Sequence, residues 1–313
     1  MLQYIGNRLL QMIPVLFLIS LIVFMIMHAL PGDPAQLMLA GAESGSVTPE
    51  RLEELRAQMG LNDPLVVQYG RFISHALRGD LGNSIRLRQP VTQLIAERFG
   101  YTLQLSMAGL VVAVVVGMGT GILAALNQNT WIDTLSMVIA YLGVSMPLFW
   151  LGLLLILIFS FQLKWLPPAG GSGFKALILP AVTLGFVSAG IISRLTRSSL
   201  IETMSEDYIR AARAKGLPQR LLVGRHALKN ALIPVVTILG IQFGGMLAGA
   251  VVTETVFSRP GLGRLIVSAI LWKDYPLVQG IVLFLAVIYL GVNLLVDISY
   301  AWIDPRIHYG NSR

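Results

Sequence analysis

Groups able to do covalent or redox chemistry are few in this chain, and their spacing assembles no reaction centre. There is no cysteine, so disulfides and thiolate metal sites are excluded. His28 and His226 stand alone, without the His-x-x-x-His pair or carboxylate cluster that holds a metal. No G-x-x-x-x-G-K-[ST] phosphate loop occurs, and the Gly-Gly-Ser-Gly stretch at 170–173 has no Lys-Ser/Thr after it. No Ser/His/Asp arrangement suggests a hydrolase within the membrane. The expectation is a protein that is not an enzyme, with no catalytic residue, metal or cofactor of its own. What does concentrate is charge. Between Arg194 and Lys229 eight basic residues stand against three acids, which is five of the chain's net +7. Two carboxylates, Glu254 and Asp297, lie at or near the ends of apolar runs. Each is either a gating or packing group or a boundary residue within reach of water.

The elements that must position these groups are read from hydropathy. Of 313 residues 55% are hydrophobic and 12% charged, about half the charge of an ordinary soluble domain. The mean hydropathy is +0.72. The apolar residues come in blocks, which makes this a membrane protein. Its pI near 9.9 would suit nucleic acid, but basic loops also orient a membrane protein, and no nucleic-acid partner is expected. Six spans are expected at 9–29, 102–126, 134–162, 176–193, 231–253 and 277–297, each near the 20 or so residues a bilayer needs. Arg8 and the apolar run after it look like a signal peptide, but no small-residue cleavage site follows, so this run is expected to stay as the first span. Pro147 should kink the third span. Gly117 and Gly121 in the second span, and Gly240 and Gly244 in the fifth, recur at four-residue spacing. That spacing presents bare backbone to a neighbouring helix, in this chain or in a partner.

The polar segment 31–98 is not shapeless. Thr48 can cap a helix that opens with Pro49 and stops at Gly60, and Asp63-Pro64 repeats the device up to Gly79. A third amphipathic piece, Val91 to Phe99, leads into the membrane. With six spans and both termini inside, the +5 segment falls inside, as the positive-inside rule requires. The seven Arg of segment 31–98 are balanced by eight acids, and the segment is too long for the rule to govern strictly.

The basic segment has its own internal design. Ser205 is placed to cap a helix that carries Glu206 and Asp207 at its start and Arg213 and Lys215 at its end, as the helix dipole favours. Gly216 can stop it in the left-handed conformation, and Pro218 can open the next helix. Ala211 and Ala212 leave a smooth patch that another protein could approach closely. A loop that only sets orientation needs none of this.

These residues carry a resemblance. Arg210-Ala211-Ala212-x-x-x-Gly216 resembles the EAA motif of ATP-binding-cassette (ABC) importer permeases. The longer phrase DYIRAARAKG…RHALKNALIPV resembles the branch that imports dipeptides, oligopeptides, glutathione and nickel complexes. LPGDPA at 30–35, GDLGNS at 79–84, VVTETVFSRPGLGRL at 251–265, DYP at 274–276 and DISYAWIDPRI at 297–307 agree in order, so the resemblance runs the full length. It is closest to the first, B-type, permease subunit of such systems. Two departures stand out: Arg210 replaces the Glu of the general motif, and His226-Ala227-Leu228-Lys229 stands where the superfamily has Ile-x-Leu-Pro. A salt bridge of the sugar-permease branch is therefore not carried over.

The resemblance implies an all-α polytopic protein of the type I importer permease fold in the bacterial cytoplasmic (inner) membrane. Its organisation would be a first span at 1–30, an extracytoplasmic segment at 31–98, a permease core at 99–302 and a cytoplasmic tail at 303–313. Residues 205–234 would be a coupling loop seated on an ATPase, with Arg210, Ala211, Ala212, Arg213, Lys215 and Gly216 at its centre. The implied partners are a homologous C-type permease, two cytoplasmic ABC ATPases that bind ATP and magnesium, and an extracytoplasmic substrate-binding protein. An ion-coupled secondary transporter and a non-transporting scaffold are the alternatives. The first usually shows inverted repeats and mid-span charges, and neither is apparent in this sequence.

Overall fold

Apolar blocks far longer than a soluble helix needs leave the backbone one way to satisfy its hydrogen bonds in lipid, and that is the helix. The computed structural model describes residues 2–29, 33, 35–36, 39, 48–170 and 173–303. The expectations that fall on 304–313, including the tail motif beyond Ile303, lie outside the described residues. The helices are α1 Leu2–Ala29, α2 Pro49–Gln58, α3 Leu65–Ala76, α4 Val91–Leu126, α5 Trp131–Ser145, α6 Leu148–Gln162 and α7 Phe174–Ser205. They continue with α8 Asp207–Ala214, α9 over 219–231, α10 Ile233–Val256, α11 Leu262–Leu271 and α12 Tyr275–Ile303. Among the described residues β pairing is confined to one isolated bridge between Asn83 and Pro90.

Five helices are each long and apolar enough to cross a membrane: α1, α4, α7, α10 and α12. The expected third span, 134–162, is corrected: it is not one kinked helix. It is α5 and α6, with a bend of 111° between them, and it makes a sixth crossing only if the bent pair counts as one span. The cause is local. Pro147 has no N–H and its ring disfavours helix at the residue before it, so Met146 is extended (φ −80°, ψ 134°). The last turns of α6, Ile156–Gln162, are π-helical.

The chain forms two compact units. The first comprises 1–101 and 260–291. Its core joins Met27 of α1, Val91, Leu94 and Ile95 of α4, Leu262 and Ala269 of α11, and Leu277 and Ile281 of α12. Expected punctuation is found here. Thr48 caps α2, its Oγ1 accepting from Arg51 N, and Gly60 and Gly79 take positive φ. Asp63 does not cap α3. That helix starts one residue later, at Leu65, and the Asp63 carboxylate accepts from Arg71 Nη2 at 2.5 Å. The amphipathic piece 91–99 is the beginning of α4, not a separate helix.

The second unit comprises 102–259 and 292–313, and α7 is its centre. Leu177, Ala181, Leu184 and Ile192 of α7 pack with Leu105 and Ala113 of α4 and with Val235, Met246 and Ala250 of α10. The helix runs twelve residues past the expected end at 193, since nothing breaks it before Glu206. Glycines set the closeness of approach. A Cβ on Gly117 would lie 2.8 Å from Ala189 O, and one on Gly121 would lie 2.5 Å from Ser193 O. From the other side, Gly185 meets Gly109 O and Gly190 meets Ala140 O. A Cβ on Gly240 would run into Val296 of α12, and Gly244 is buried. These glycine faces therefore pack within this chain.

Candidate functional site

The basic segment folds as α8, a tight corner and α9. The corner is a Schellman motif: Gly216 N–H donates to Arg213 O at 3.0 Å and Leu217 N–H to Ala212 O at 3.4 Å. Gly216 has φ +81° and open space around it, so glycine is there for the dihedral, not for crowding. Ser205 does not cap α8. It is the last residue of α7, its Oγ donates to Glu202 O, and Glu206 takes the cap position with no side-chain bond.

One stripe of α8 points inward. Ile209 is fully buried, and Ala212 and Leu217 are half-buried beside it. They pack on Leu200 and Met204 of α7, Ile122 and Ala125 of α4, and Leu222, Ala227 and Ala231 of α9. The expected Ala211–Ala212 patch is thus corrected: successive helical residues differ by about 100°, so Ala212 turns in while Ala211 stays out. The exposed face is Tyr208, Arg210, Ala211, Arg213, Ala214, Lys215 and Gly216. Its small members are Ala211 and Ala214, three apart, followed by Gly216. Arg210 approaches Asp207 at 3.5 Å, with both side chains mostly in water. Asn230 of α9 donates to Tyr208 Oη at 2.8 Å.

At the start of α5, Asp133 forms a second feature that sequence reading missed. Its carboxylate accepts from Arg197 Nε at 2.6 Å and Nη2 at 2.7 Å, and from Asn129 N at 3.0 Å. Asp133 is buried, and this clasp pins the α4–α5 turn to α7. Asn129, at φ +64°, makes the turn. The available signal was an acid in the first turn of a span and an Arg at the inner end of another. Nothing local pairs residues 64 apart.

Glu254 does not reach water, which corrects the boundary reading. It is fully buried, and Thr102 Oγ1 donates to it at 2.6 Å. Arg259 is buried nearby, with N–H to Glu254 O at 2.9 Å and Nη2 to Gln104 Oε1 at 3.2 Å. Within the phrase VVTETVFSRPG, Glu254 and Arg259 are thus two buried charged residues of the second unit. Asp297 is half-buried on α12.

In the first unit GDLGNS and DYP meet. Asp274 is fully buried and caps α12, its Oδ1 accepting from Leu277 N. Its Oδ2 accepts from Ser84 Oγ at 2.5 Å and from Arg86 N at 3.0 Å. Asp33 of LPGDPA pairs with Arg56 at 2.7 Å, and this raises the Arg56 pKa above its ordinary value. A cavity of about 290 Å³ in this unit is lined by Phe24, His28, Gln68, Arg71, His75 and Tyr275, among others. Its polar groups already serve each other. His28 Nε2 lies 3.1 Å from Gln68 Oε1, and Arg71 pairs with Asp63.

The comparisons with known proteins cover nearly the whole chain. Residues 117–309 match the family described as binding-protein-dependent transport system inner membrane component, and residues 1–106 match its N-terminal membrane component. The glutathione transport system permease protein GsiC of Escherichia coli strain K12 is 47% identical over 309 residues, 99% of this chain and all of that protein. GsiC of Shigella dysenteriae serotype 1 gives the same figures. Among solved structures, an inward-facing MetNI methionine ABC transporter superposes with a TM-score of 0.59 at 18% identity, over 68% of this chain and 97% of that one. An amino acid ABC transporter with histidines gives 0.53 at 16%, over 67% and 94%. The apolar helices and these matches agree that the chain belongs to the binding-protein-dependent inner membrane components, as a multi-pass permease of an ABC importer in the bacterial inner membrane.

Proposed function

We propose that this permease carries glutathione or a short peptide of similar size, and that the α8–Gly216–α9 corner receives the stroke of a partner ATPase. The substrate class follows from the full-length likeness to proteins named for glutathione transport. The coupling role rests on one observation: α8 exposes a small-residue face while Ile209 roots it among α4, α7 and α9. A packed cluster is nearly incompressible, so a push on α8 moves the ends of three helices together. In this reading both termini and the α8 corner are cytoplasmic, as the charge of segment 194–229 favours. The segment 31–98 is extracytoplasmic, and residues 99–302 are the permease core. A homologous C-type permease completes the pathway, and a binding protein delivers cargo from outside. Two ATPases bind the ATP and magnesium, and this chain contributes no cofactor. Glu254 and Asp297 then act in gating or packing, with Glu254 held by Thr102.

The test uses the transporter assembled with its ATPases and binding protein in proteoliposomes. ATP-driven uptake of labelled glutathione, competed by unlabelled dipeptide, identifies the cargo. Ala214→Trp should leave the complex folded and abolish uptake. Full uptake by this variant sinks the coupling assignment, and no uptake of either solute by the unaltered complex sinks the substrate assignment.

A further inference from the structure

The first unit contains a helix whose apolar surface is only half covered. On α3, at 100° per residue, Tyr69 lies inside an apolar arc, with Leu65, Phe72 and Ala76 on one flank of it. Val66, Gly70, Ile73 and Leu77 form a continuous stripe on the other flank. Gln68, Arg71, His75 and Arg78 occupy the opposite face. Tyr69 is used: its hydroxyl meets Ser20 Oγ at 2.8 Å, and its ring packs edge-on to Phe17 and Phe24. On the other flank Val66 is 83% and Leu77 84% exposed, with Ile73 half-buried between them.

The contacts fix where that exposed flank points. Tyr69 reaches Ser20, while its neighbour Gln68 reaches His28. Those two points on α1 are eight residues, or about 12 Å, apart. Side chains of adjacent helical residues lean the same way along their own helix, so this spread requires α3 to lie across α1. Tyr69 then points down along α1 into the span Ile5–Ala29, and Gln68 points toward its end. The stripe from Val66 to Leu77 flanks Tyr69 and faces the same depth. Leu18, Ile22, Met25 and Ile26 of α1 are exposed as well. The Tyr69 ring packs on Phe24, five residues and so some 7 Å inside the end of α1, within the depth at which the apolar faces of interfacial helices are buried.

We propose that α3 is an interfacial helix whose Val66–Leu77 stripe is immersed in the acyl chains of the lipid leaflet at the C-terminal end of α1. Arg71, His75 and Arg78 then face headgroups and water, and the cavity beneath Gln68 opens at the membrane surface. The bilayer is the occupant because the exposed flank lies at the depth of a spanning helix's lipid-facing residues. A water-borne binding protein does not reach that depth.

The absence of cysteine allows a direct test. Val66→Cys, Leu77→Cys and Arg78→Cys are each spin-labelled as the sole cysteine of the assembled transporter in liposomes, with partner cysteines replaced. Collisions with oxygen and with a water-soluble nickel chelate are compared. Labels at 66 and 77 should favour oxygen severalfold, and the label at 78 should favour the chelate. Unchanged ATP hydrolysis confirms an intact complex. Chelate access at 66 and 77 overturns the proposal by placing the stripe in water. Shielding from both reagents overturns it too: with the binding protein added, the stripe is a docking face for that protein, and without it, for the second permease.

Discussion

The α8 surface and the Asp133–Arg197 clasp hold charge in opposite ways. On α8, Arg210 and Asp207 are 3.5 Å apart, yet both stay hydrated, and the helix is anchored by Ile209 and the Gly216 corner instead. In the clasp both carboxylate oxygens are taken by Arg197, a third donor comes from Asn129, and the group is buried. A charge removed from water needs its partner in the same chain, because it cannot wait for another protein. A charge left in water contributes little to stability and stays available to a partner. Asp274, buried with Ser84, Arg86 N and Leu277 N, belongs with the clasp.

The largest effect should come from breaking the clasp. Asp133→Ala leaves Arg197 without its carboxylate, and a cost of about 3 kcal/mol is expected, at the lower end for broken buried pairs because Arg197 keeps some contact with water. Thermal unfolding of the detergent-purified transporter measures it. Adding Arg197→Met should recover much of the loss, since the orphaned charge goes too. If the double variant is as unstable as the sum of the single ones, the pair is not what holds the turn to α7.

Asp274→Ala comes next. It removes a helix cap and the acceptor for two further donors, and about 2 kcal/mol should be lost. Asp274→Asn keeps one acceptor oxygen and should lose less. Equal losses for the two variants would mean that the negative charge, rather than the hydrogen-bond geometry, joins the two motifs.

What could be read from the sequence divides along the same line. Caps and stops are local, so Thr48-Pro49, Gly60, Gly79 and Gly216 were legible from residue type alone. The apolar blocks gave the spans, because their signal is additive over some twenty residues. Pro147 was legible as a kink, but not as a break that bends the chain by 111°, since the angle depends on what α5 and α6 pack against. The inward turn of Ala212 depends on the phase of a two-turn helix, set by one buried Ile209. Pairings such as Asp133–Arg197 and Ser84–Asp274 join residues 64 and 190 positions apart, and no local pattern marks them. The glycine pairs announced close approach, but their partners on α7 and α12 became visible only with the helices in place.

A smaller effect is expected at the corner. Gly216→Ala places a side chain at φ +81°, in open space, so the cost is the left-handed conformation alone, about 1 kcal/mol. Uptake should fall further than so small a loss explains if the corner transmits force. Measuring unfolding and uptake on the same preparation separates the two. If uptake falls no further than the folded fraction does, the corner is merely a stop for α8.

The smallest effect on stability should come from Arg210→Glu, and for that reason it separates the two kinds of charge most sharply. Arg210 lies in the first turn of α8, where the helix dipole disfavours a cation, and its pairing with Asp207 is solvated. The dipole gain is offset by like-charge repulsion from Glu206 and Asp207, so substituting Glu should change the stability by no more than about a few tenths of a kcal/mol. A residue that slightly opposes its own helix is not there for the fold. ATPase association, measured by co-purification, should weaken in the variant if Arg210 meets an acidic groove on the partner. Association and uptake at the unaltered level would assign the contact to Ala211, Ala214 and Gly216, and leave Arg210 as one more inner-side charge.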